Sequence, residues 1–411
     1  MMKRKLLVSM LVAGGLIAPA AYATNGYFAN GYGIKAEGMG GVGIAFPQDS
    51  LAAATNPAGM VLIGNRADLG LELFNPNRSS QITAGGVTSE FSGNDRSIFP
   101  IPSFGYNRMM APDYSLGVSI YGNGGMNTSY SVNPNFGQGE AGVNLAQLFI
   151  APTWSKKINE NNSVGVSLNI AYQMFSAQGL QNFQPMSISN TNLTNNGTDT
   201  STGYGLHIGW IGKVSPDITL GATYQTKTRM SKFSKYSGLF AEQGSFDIPA
   251  WYGAGIAVKA APATTVGFDV QRIMYGDVKS ISNPLGTPPF NLGASYGAGF
   301  GWQNMTVYKL GVSYDWDSQT TLRAGWTHNQ EPYNASQTFF NILAPGIVKD
   351  SVSLGATWKL ANKSEISAFY MHAFRNTING VNSIPGGIGY PAGSEASNTL
   401  SEDSVGISYG W

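Results

Sequence analysis

The stretch Gly38–Met60 reads GMGGVGIAFPQDSLAAATNPAGM, and it differs from the chain that follows it. It is rich in glycine, contains a single charged residue, Asp49, and shows no sustained alternation of polar and apolar residues. From Arg66 onward the pattern changes to alternating strands. We therefore predict that residues 24–65 form a compact plug inside a β-barrel, and that residues 66–411 form the barrel wall.

Composition narrows the class of protein. Charged residues make up 11% of the 411 residues, less than half of the ~25% that is usual for soluble domains. Apolar residues make up 42%, an intermediate value that is typical of strands with one face in lipid and the other in water. A formal charge of +1 gives no sign of a nucleic-acid partner. Because the chain has no cysteine, disulfide bonds and thiolate metal sites are excluded.

The first residues have the pattern of a secretory signal peptide, which we predict to be residues 1–23. The basic run Lys3–Lys5 precedes the apolar run Leu6–Ala18, which is too short to span a bilayer. Ala21–Ala23 is a small-x-small cleavage site. The mature chain is therefore expected to begin at Thr24.

After residue 65 the hydrophobic pattern has a period of two residues. In Ser163–Phe175 every second residue from Val164 onward is apolar, and the residues between them are mostly small or polar. Ser351–Leu360 repeats this alternation. Fourteen segments of this kind are predicted to be strands: 66–74, 99–109, 114–122, 145–155, 163–178, 202–214, 218–229, 248–260, 264–275, 306–316, 321–330, 350–360, 365–375 and 403–411.

The connections between these segments alternate in length. Six are short and seven are long, the long ones being 75–98, 123–144, 179–201, 230–247, 276–305, 331–349 and 376–402. Bacterial outer-membrane barrels have short periplasmic turns, long outer loops and an even strand count. The fold class predicted is thus all-β, a closed 14-stranded antiparallel transmembrane barrel in the outer membrane with both termini periplasmic.

Several motifs resemble the FadL-like outer-membrane transporters of long-chain fatty acids and aromatic hydrocarbons. The motifs are GMGGVG at 38–43, AAATNPAGM at 52–60, GVNLAQLFIAPT at 142–153 and NILAPGIV at 341–348. The tract 366–374 is similar as well, and the resemblance covers essentially the whole mature chain. Trp411 stands where phenylalanine is usual, and the outer loops at 179–201 and 230–247 are modest in length.

The resemblance implies a monomeric barrel in which Asn56, Pro57, Ala58 and Gly59 belong to a gating plug. It also implies an inward kink in the third strand, which maps to Gly122, Asn123, Gly124 and Gly125. The residues support this independently, because glycines at a strand end permit a bulge that leaves ladder groups unpaired. The alternatives are a plain turn at Asn56–Gly59 and an ordinary glycine-rich loop entry at Gly122–Gly125.

The function that these features predict is uptake of hydrophobic small molecules through an apolar pocket, plug movement and lateral release at the kinked third strand. Thr24, Tyr27 and Phe28 are expected to line the pocket, although the two aromatic side chains would equally suit a tail packed against the wall. The alternative function is a general diffusion porin, which needs charged rings that this composition hardly supplies.

An enzyme is not expected. The three histidines, His207, His328 and His372, lie in separate predicted strands without a nucleophile-elbow motif. No metal-ligand spacing is present, so neither a metal nor a cofactor is predicted. The other partners expected are outer-membrane lipid, lipopolysaccharide and, through the aromatic C-terminal strand that ends at Trp411, the barrel-assembly machinery.

Overall fold

The computed structural model describes residues 25–135 and 139–411. The predicted signal peptide and Thr24 therefore lie outside the described residues. Fourteen long strands follow one another: β1 (Arg66–Ala84), β2 (Phe99–Ala111), β3 (Tyr114–Tyr130), β4 (Ala141–Lys157), β5 (Asn162–Gln178), β6 (Asp199–Ser215), β7 (Ile218–Gln225), β8 (Trp251–Ala261), β9 (Thr264–Ile273), β10 (Met305–Asp315), β11 (Thr320–Asn329), β12 (Asp350–Lys359), β13 (Glu365–Asn379) and β14 (Glu395–Gly410).

The sheet closes on itself. Each long strand pairs with its neighbour in the chain, all in antiparallel fashion, and β14 pairs with β1 from Asp68↔Gly410 to Thr83↔Glu395. Two shorter strands, Val87–Ser92 and Arg229–Met230, pair with β1 and β6. Closure pairs the backbone groups of the first and last strands, as a wall in lipid requires. The predicted 14-stranded antiparallel barrel is thus confirmed.

Helices are short and lie outside the wall strands. Among the residues that the structure describes, single α-helical turns lie at Ile34–Glu37 and Lys279–Ser282, and Ala241–Gly244 is a turn in which Glu242 and Gln243 have left-handed backbone angles. The others are 3-10 turns: Ala52–Ala54, Pro57–Leu62, Gln181–Met186, Asn190–Asn192, Ser234–Tyr236, Tyr275–Asp277, Ala335–Gln337 and Phe340–Ile342. None of the helices in the described ranges is long and apolar enough to cross a membrane.

The two faces of the wall differ in character. On β5, Leu168 and Ile170 point outward and are exposed, whereas Ser167 and Asn169 point inward and are fully buried. Other strands repeat the pattern, with outward apolar residues such as Leu71, Leu73, Leu116, Ile208, Phe268, Leu310, Leu322, Leu354, Val405 and Ile407. An apolar belt of this kind is stable in hydrocarbon and costly in water.

The predicted strand boundaries were wrong mainly at the ends near the long connections. β1 continues to Ala84 and β14 begins at Glu395, so ten or more residues assigned to loops at 75–98 and 376–402 are strand. These extensions carry polar side chains on both faces, so the alternation disappears although the ladder continues. Conversely, the strands predicted at 218–229 and 248–260 are shorter, since β7 ends at Gln225 and β8 begins at Trp251.

Candidate ligand pocket and wall opening

Residues 25–65, here called the N-terminal segment, contact the inner face of every wall strand. Where they meet the wall, the wall residue is usually a glycine. A Cβ at Gly209 would lie 1.8 Å from Oδ1 of Asn56, and one at Gly325 would lie 2.0 Å from the backbone nitrogen of Gly40. Glycines that approach the segment occur on every strand except β4 and β13: Gly70, Gly105, Gly117, Gly165, Gly209, Gly221, Gly255, Gly267, Gly311, Gly325, Gly355 and Gly406. A larger side chain at most of these positions would push the segment away from the wall.

The two remaining strands contact the segment through side chains. On β4, Ser155 Oγ accepts from the backbone of Val61 at 3.2 Å and donates to the carbonyl of Ala58 at 3.1 Å. On β13, Phe369 packs against Ile34. The N-terminal segment therefore contacts all fourteen long strands from inside the barrel.

An ionic cluster fixes the segment at the same end. Lys35 pairs with Glu365 at 2.5 Å, and Arg66 bridges Glu365 and Asp68 at 2.7 Å each. Ser50 donates to Asp68 from its backbone nitrogen at 2.9 Å and its hydroxyl at 2.6 Å. Because these charges are largely buried, losing one partner would leave another uncompensated.

Asp49 lies beside this cluster and gives it a pH dependence. Burial raises the pKa of Asp49 from 3.8 to about 6, and the nearby Asp68 carboxylate adds to the rise, against the attraction of Lys35 and Arg66. A carboxyl group with a raised pKa binds its proton more tightly in the folded protein than in the unfolded chain. The folded protein therefore loses the stability that protonated Asp49 contributes as the pH rises from about 4 to about 6.

Asn56–Gly59 form an anchor in the segment. Asn56 caps the turn Pro57–Leu62, since its side-chain oxygen accepts from the backbone of Ala58 at 3.1 Å. Its amide donates to the carbonyl of Ile44 at 2.8 Å and to that of Trp210 on β6 at 3.0 Å. The motif thus joins two parts of the segment to the wall.

Residues 25–32, the tail, run from this anchored body into an aromatic environment. Tyr27 and Phe28 are fully buried. The ring of Tyr27 lies 5.2 Å from Tyr275, 6.0 Å from Trp302 and 6.1 Å from Phe246, measured between centroids. The Tyr275 hydroxyl also accepts from the backbone nitrogens of Tyr27 at 3.2 Å and Phe28 at 3.3 Å. We call Tyr27, Phe28, Phe246, Tyr275 and Trp302 the aromatic cluster.

The wall opens beside the tail. β2 and β3 pair only as far as Phe104↔Ile120, so the outer half of β3 has no partner on β2. On its other side, β3 shifts register against β4 between Gly122 and Gly124, which leaves Asn123 in a bulge. This interruption between β2 and the residues 121–126 of β3 is called the wall gap. Its height from Ile120 to Asn127 is on the order of 20 Å at ~3.3 Å per residue.

The tail occupies the unpaired edge of β3. Phe28 forms an antiparallel bridge with Gly124. The backbone nitrogen of Gly125 donates to Tyr27 at 2.9 Å, and that of Ala29 donates to Asn123 at 3.2 Å. Ala29 also packs with Phe74, Phe99 and Ile101 on β1 and β2. The tail therefore closes the gap from inside.

Arg78 closes the top of the gap. Its guanidinium donates to the carbonyls of Asn127 and Arg96, and to Oδ1 of Asn127 at 2.8 Å. It also lies over the ring of Phe99, with 5.7 Å between its central carbon and the ring centroid. The side chain of Arg78 on β1 is thus hydrogen-bonded to Asn127 on β3 across the opening.

A second apolar site lies under the long connections. It is a cavity of about 40 Å³, here called the outer groove, lined mainly by Val143, Phe175, Leu180, Phe183, Leu239, Phe240, Leu292, Phe300, Phe339, Phe340 and Leu343. Sites for drug-sized ligands are usually ~300–1,000 Å³. Side chains must therefore move before the groove can hold a hydrocarbon.

The histidines do not come together. His207 is buried and its Nε2 lies 2.7 Å from the Thr223 hydroxyl. His328 and His372 each contact one aspartate at 2.9 Å, Asp350 and Asp403 respectively. Within residues 25–135 and 139–411 no group of three or more acidic, histidine or cysteine side chains is arranged to hold a metal ion.

Sequence reasoning singled out the glycines of the gap and the tail aromatics, but it missed Arg78, Tyr275, Trp302 and Phe246. Arg78 fell in a segment assigned to a loop. The aromatic partners of Tyr27 come from two different long connections, with Phe246 on one and Tyr275 and Trp302 on the other, and no spacing signal links them. The bulge at Asn123 was the one element with a local signal, namely its flanking glycines.

Comparisons with known proteins agree with this architecture. A family model described as outer membrane protein transport protein (OMPP1/FadL/TodX) matches residues 20–401. The fold is similar to the crystal structure of the P. putida toluene transporter TodX, at 18% identity and a TM-score of 0.69 over 93% of this chain and 98% of that one. A Pseudomonas aeruginosa FadL homologue gives 18% identity and a TM-score of 0.71 over 94% and 99%.

A third similar structure is the Ralstonia pickettii toluene transporter TbuX, at 18% identity and a TM-score of 0.62 over 93% of this chain and 98% of that one. A comparison with curated proteins finds no match.

Proposed function

The chain belongs to the outer membrane protein transport protein family (OMPP1/FadL/TodX), and on this premise we propose that it takes up hydrophobic small molecules and releases them sideways through the wall gap. The observation that carries this proposal is the tail, which bridges Gly124 on the open edge of β3 and also belongs to the aromatic cluster. A single movement of the tail would therefore open both a pocket and an exit.

The proposed path begins at the outer groove and continues to the aromatic cluster. A ligand replaces the rings of Tyr27 and Phe28, and the tail leaves the edge of β3. Removing two buried aromatic side chains costs about 3–6 kcal/mol in total. A seven-carbon hydrocarbon gains about 5–6 kcal/mol on burial at ~0.8 kcal/mol per carbon. Since the two quantities are similar, the exchange is reversible and does not trap the ligand.

In this proposal the N-terminal segment, which with Thr24 makes residues 24–65, acts as the plug. Its body is held by the wall glycines and by Asn56–Gly59, so the tail is the part that moves. The glycine-seated body also argues against a diffusion porin. Where the backbone of Gly40 meets Gly325 and that of Pro57 meets Gly165, no side chain separates plug from wall, and a hydrated ion cannot pass at these contacts.

We infer further that the short turns face the periplasm and that the chain works as a monomer without catalysis. The apolar belt supports contact with membrane lipid and lipopolysaccharide, and the C-terminal strand β14 supports recognition by the barrel-assembly machinery. The three histidines support no catalytic constellation, because each contacts a different residue. As for the ligand, two of the similar structures are described as toluene transporters, which makes a monoaromatic hydrocarbon the first compound to try beside a fatty acid.

Uptake of labelled toluene and oleate by cells with and without the protein tests the proposal. We expect faster entry of at least one of the two compounds when the protein is present. Planar bilayers give the contrasting measurement, since a porin would show a large steady ionic current. Equal entry of both compounds in the two cell types, together with such a current, would overturn the proposal in favour of the porin.

A further inference from the structure

A row of three buried amide side chains crosses the inner wall. The amide of Asn123 donates to Gln147 at 3.1 Å, Gln147 donates to Gln173 at 3.1 Å, and Gln173 donates to the carbonyl of Phe246 at 2.9 Å. Each of the three side chains is 2% exposed or less. The row therefore runs from the bulge of β3, through β4 and β5, to a long outer connection.

The strand register holds this row together. Gln147 is paired with Gly124 on one side and with Gln173 on the other, so the three amides share one level of the barrel. An amide both donates and accepts, and in this row each link uses one group of each kind. A buried polar group that loses its hydrogen-bond partner destabilises the folded protein. A shift of one amide in the row therefore favours a shift of the next amide, which keeps the hydrogen bond between them.

The two ends of the row touch the two places where the transport proposal requires movement. At the gap, the carbonyl of Asn123 accepts from Ala29 of the tail at 3.2 Å and from the Tyr32 hydroxyl at 3.3 Å. At the other end, the ring centroid of Phe246 lies 4.8 Å from that of Phe240, a residue that lines the outer groove. Packed rings and hydrogen bonds thus connect the groove to the gap without a break.

We propose that Gln147 and Gln173 are positioning residues that couple occupation of the outer groove to release of the tail at the wall gap. A ligand that displaces Phe240 moves Phe246, which removes the acceptor of Gln173. The row then shifts, and Asn123 releases its contacts with the tail. This inference rests on the proposed function, because it assigns a cause to the tail movement which that function requires.

Gln147→Leu tests the coupling, with Gln225→Leu as the matched control. Gln225 is equally buried on the inner wall and accepts from the amide of Asn169 at 2.9 Å, but it lies outside the row. Both variants replace a buried glutamine with leucine. We expect Gln147→Leu to slow the maximal rate of toluene uptake at least tenfold and to leave the dissociation constant of purified protein for toluene within twofold. Gln225→Leu should leave both quantities within twofold.

Heat-dependent mobility on a denaturing gel reports whether each variant forms a folded barrel. If Gln147→Leu does not fold, Gln173→Leu breaks the row at the next link and is expected to give the same slow uptake with unchanged binding. Equal uptake rates in the row variant and in Gln225→Leu would overturn the coupling alone. Wild-type cells that take up toluene no faster than cells without the protein would remove the proposed function, and the coupling with it.

Discussion

The tail should leave the gap when the ring of Tyr27 is removed. Truncating a buried aromatic side chain to alanine costs about 3–5 kcal/mol, and Tyr27 is buried against four other rings of the aromatic cluster. Because the tail is one short strand on an otherwise intact barrel, most of this loss falls on the docked tail. If the docked tail loses about 3 kcal/mol of stability, the fraction of molecules with an undocked tail rises roughly 150-fold.

A single cysteine at Ala29 measures this fraction, because the chain has no other cysteine. Ala29 is 4% exposed when the tail is docked, so a maleimide reacts only with the undocked form. The labelling rate then follows the undocked population. We expect the rate to increase by about two orders of magnitude in Tyr27→Ala, as calculated above. Tyr27→Phe is the control, and it should label at nearly the rate of the parent because it keeps the ring. A Tyr27→Ala protein that labels as slowly as its parent would show that the ring of Tyr27 does not hold the tail in the gap.

Three other changes have defined outcomes. Gly165→Val should lower the melting temperature by an amount equivalent to a loss of about 1–3 kcal/mol in stability, because a Cβ at Gly165 would lie 2.3 Å from the carbonyl carbon of Pro57. Gly386→Val is the control. No atom lies within 4 Å of a Cβ at Gly386, so this variant should melt like the wild type. Asp49→Asn should remove the contribution of Asp49 to stability on acidification from pH 7 to pH 4, which is up to about 3 kcal/mol because the pKa of Asp49 is raised to about 6. The melting temperature of the variant should therefore change less favourably than that of the wild type over this pH range. An unchanged pH profile would speak against a buried carboxylate at this position. Arg78→Met removes hydrogen bonds of ~1.5–3 kcal/mol each from the top of the gap. It should therefore raise the uptake of pyrene relative to that of toluene. An unchanged ratio of the two uptake rates would count against Arg78 as the upper limit of the exit.

Periodicity in the sequence predicted the wall because lipid on one face and a packed interior on the other force alternation at every strand. The same reasoning failed where that force is absent. Residues 75–83 of β1 carry polar side chains on both faces, and only the ladder to β14 shows that they are strand. The alternating loop lengths were a stronger guide to the strand number than any single segment.

The site was less predictable than the wall. Gly122 and Gly124 gave a local signal for the bulge, since glycine in a strand weakens regular pairing. The inward amides Gln147 and Gln173 gave none, because an inward polar residue is ordinary in an alternating strand of a barrel. Their meaning depends on a register between β3, β4 and β5 that only the structure supplies.

In the proposed mechanism, hydrophobic molecules leave sideways where the tail lies between β2 and β3. Ala29 and Ile101 belong to one packed cluster across this boundary. Cysteines at these two positions, joined by oxidation to a disulfide, would hold the tail in the gap. Toluene uptake should stop when the disulfide forms and recover when it is reduced, while each single-cysteine variant transports normally. Uptake by the cross-linked protein at the uncross-linked rate would show that the tail does not control the exit.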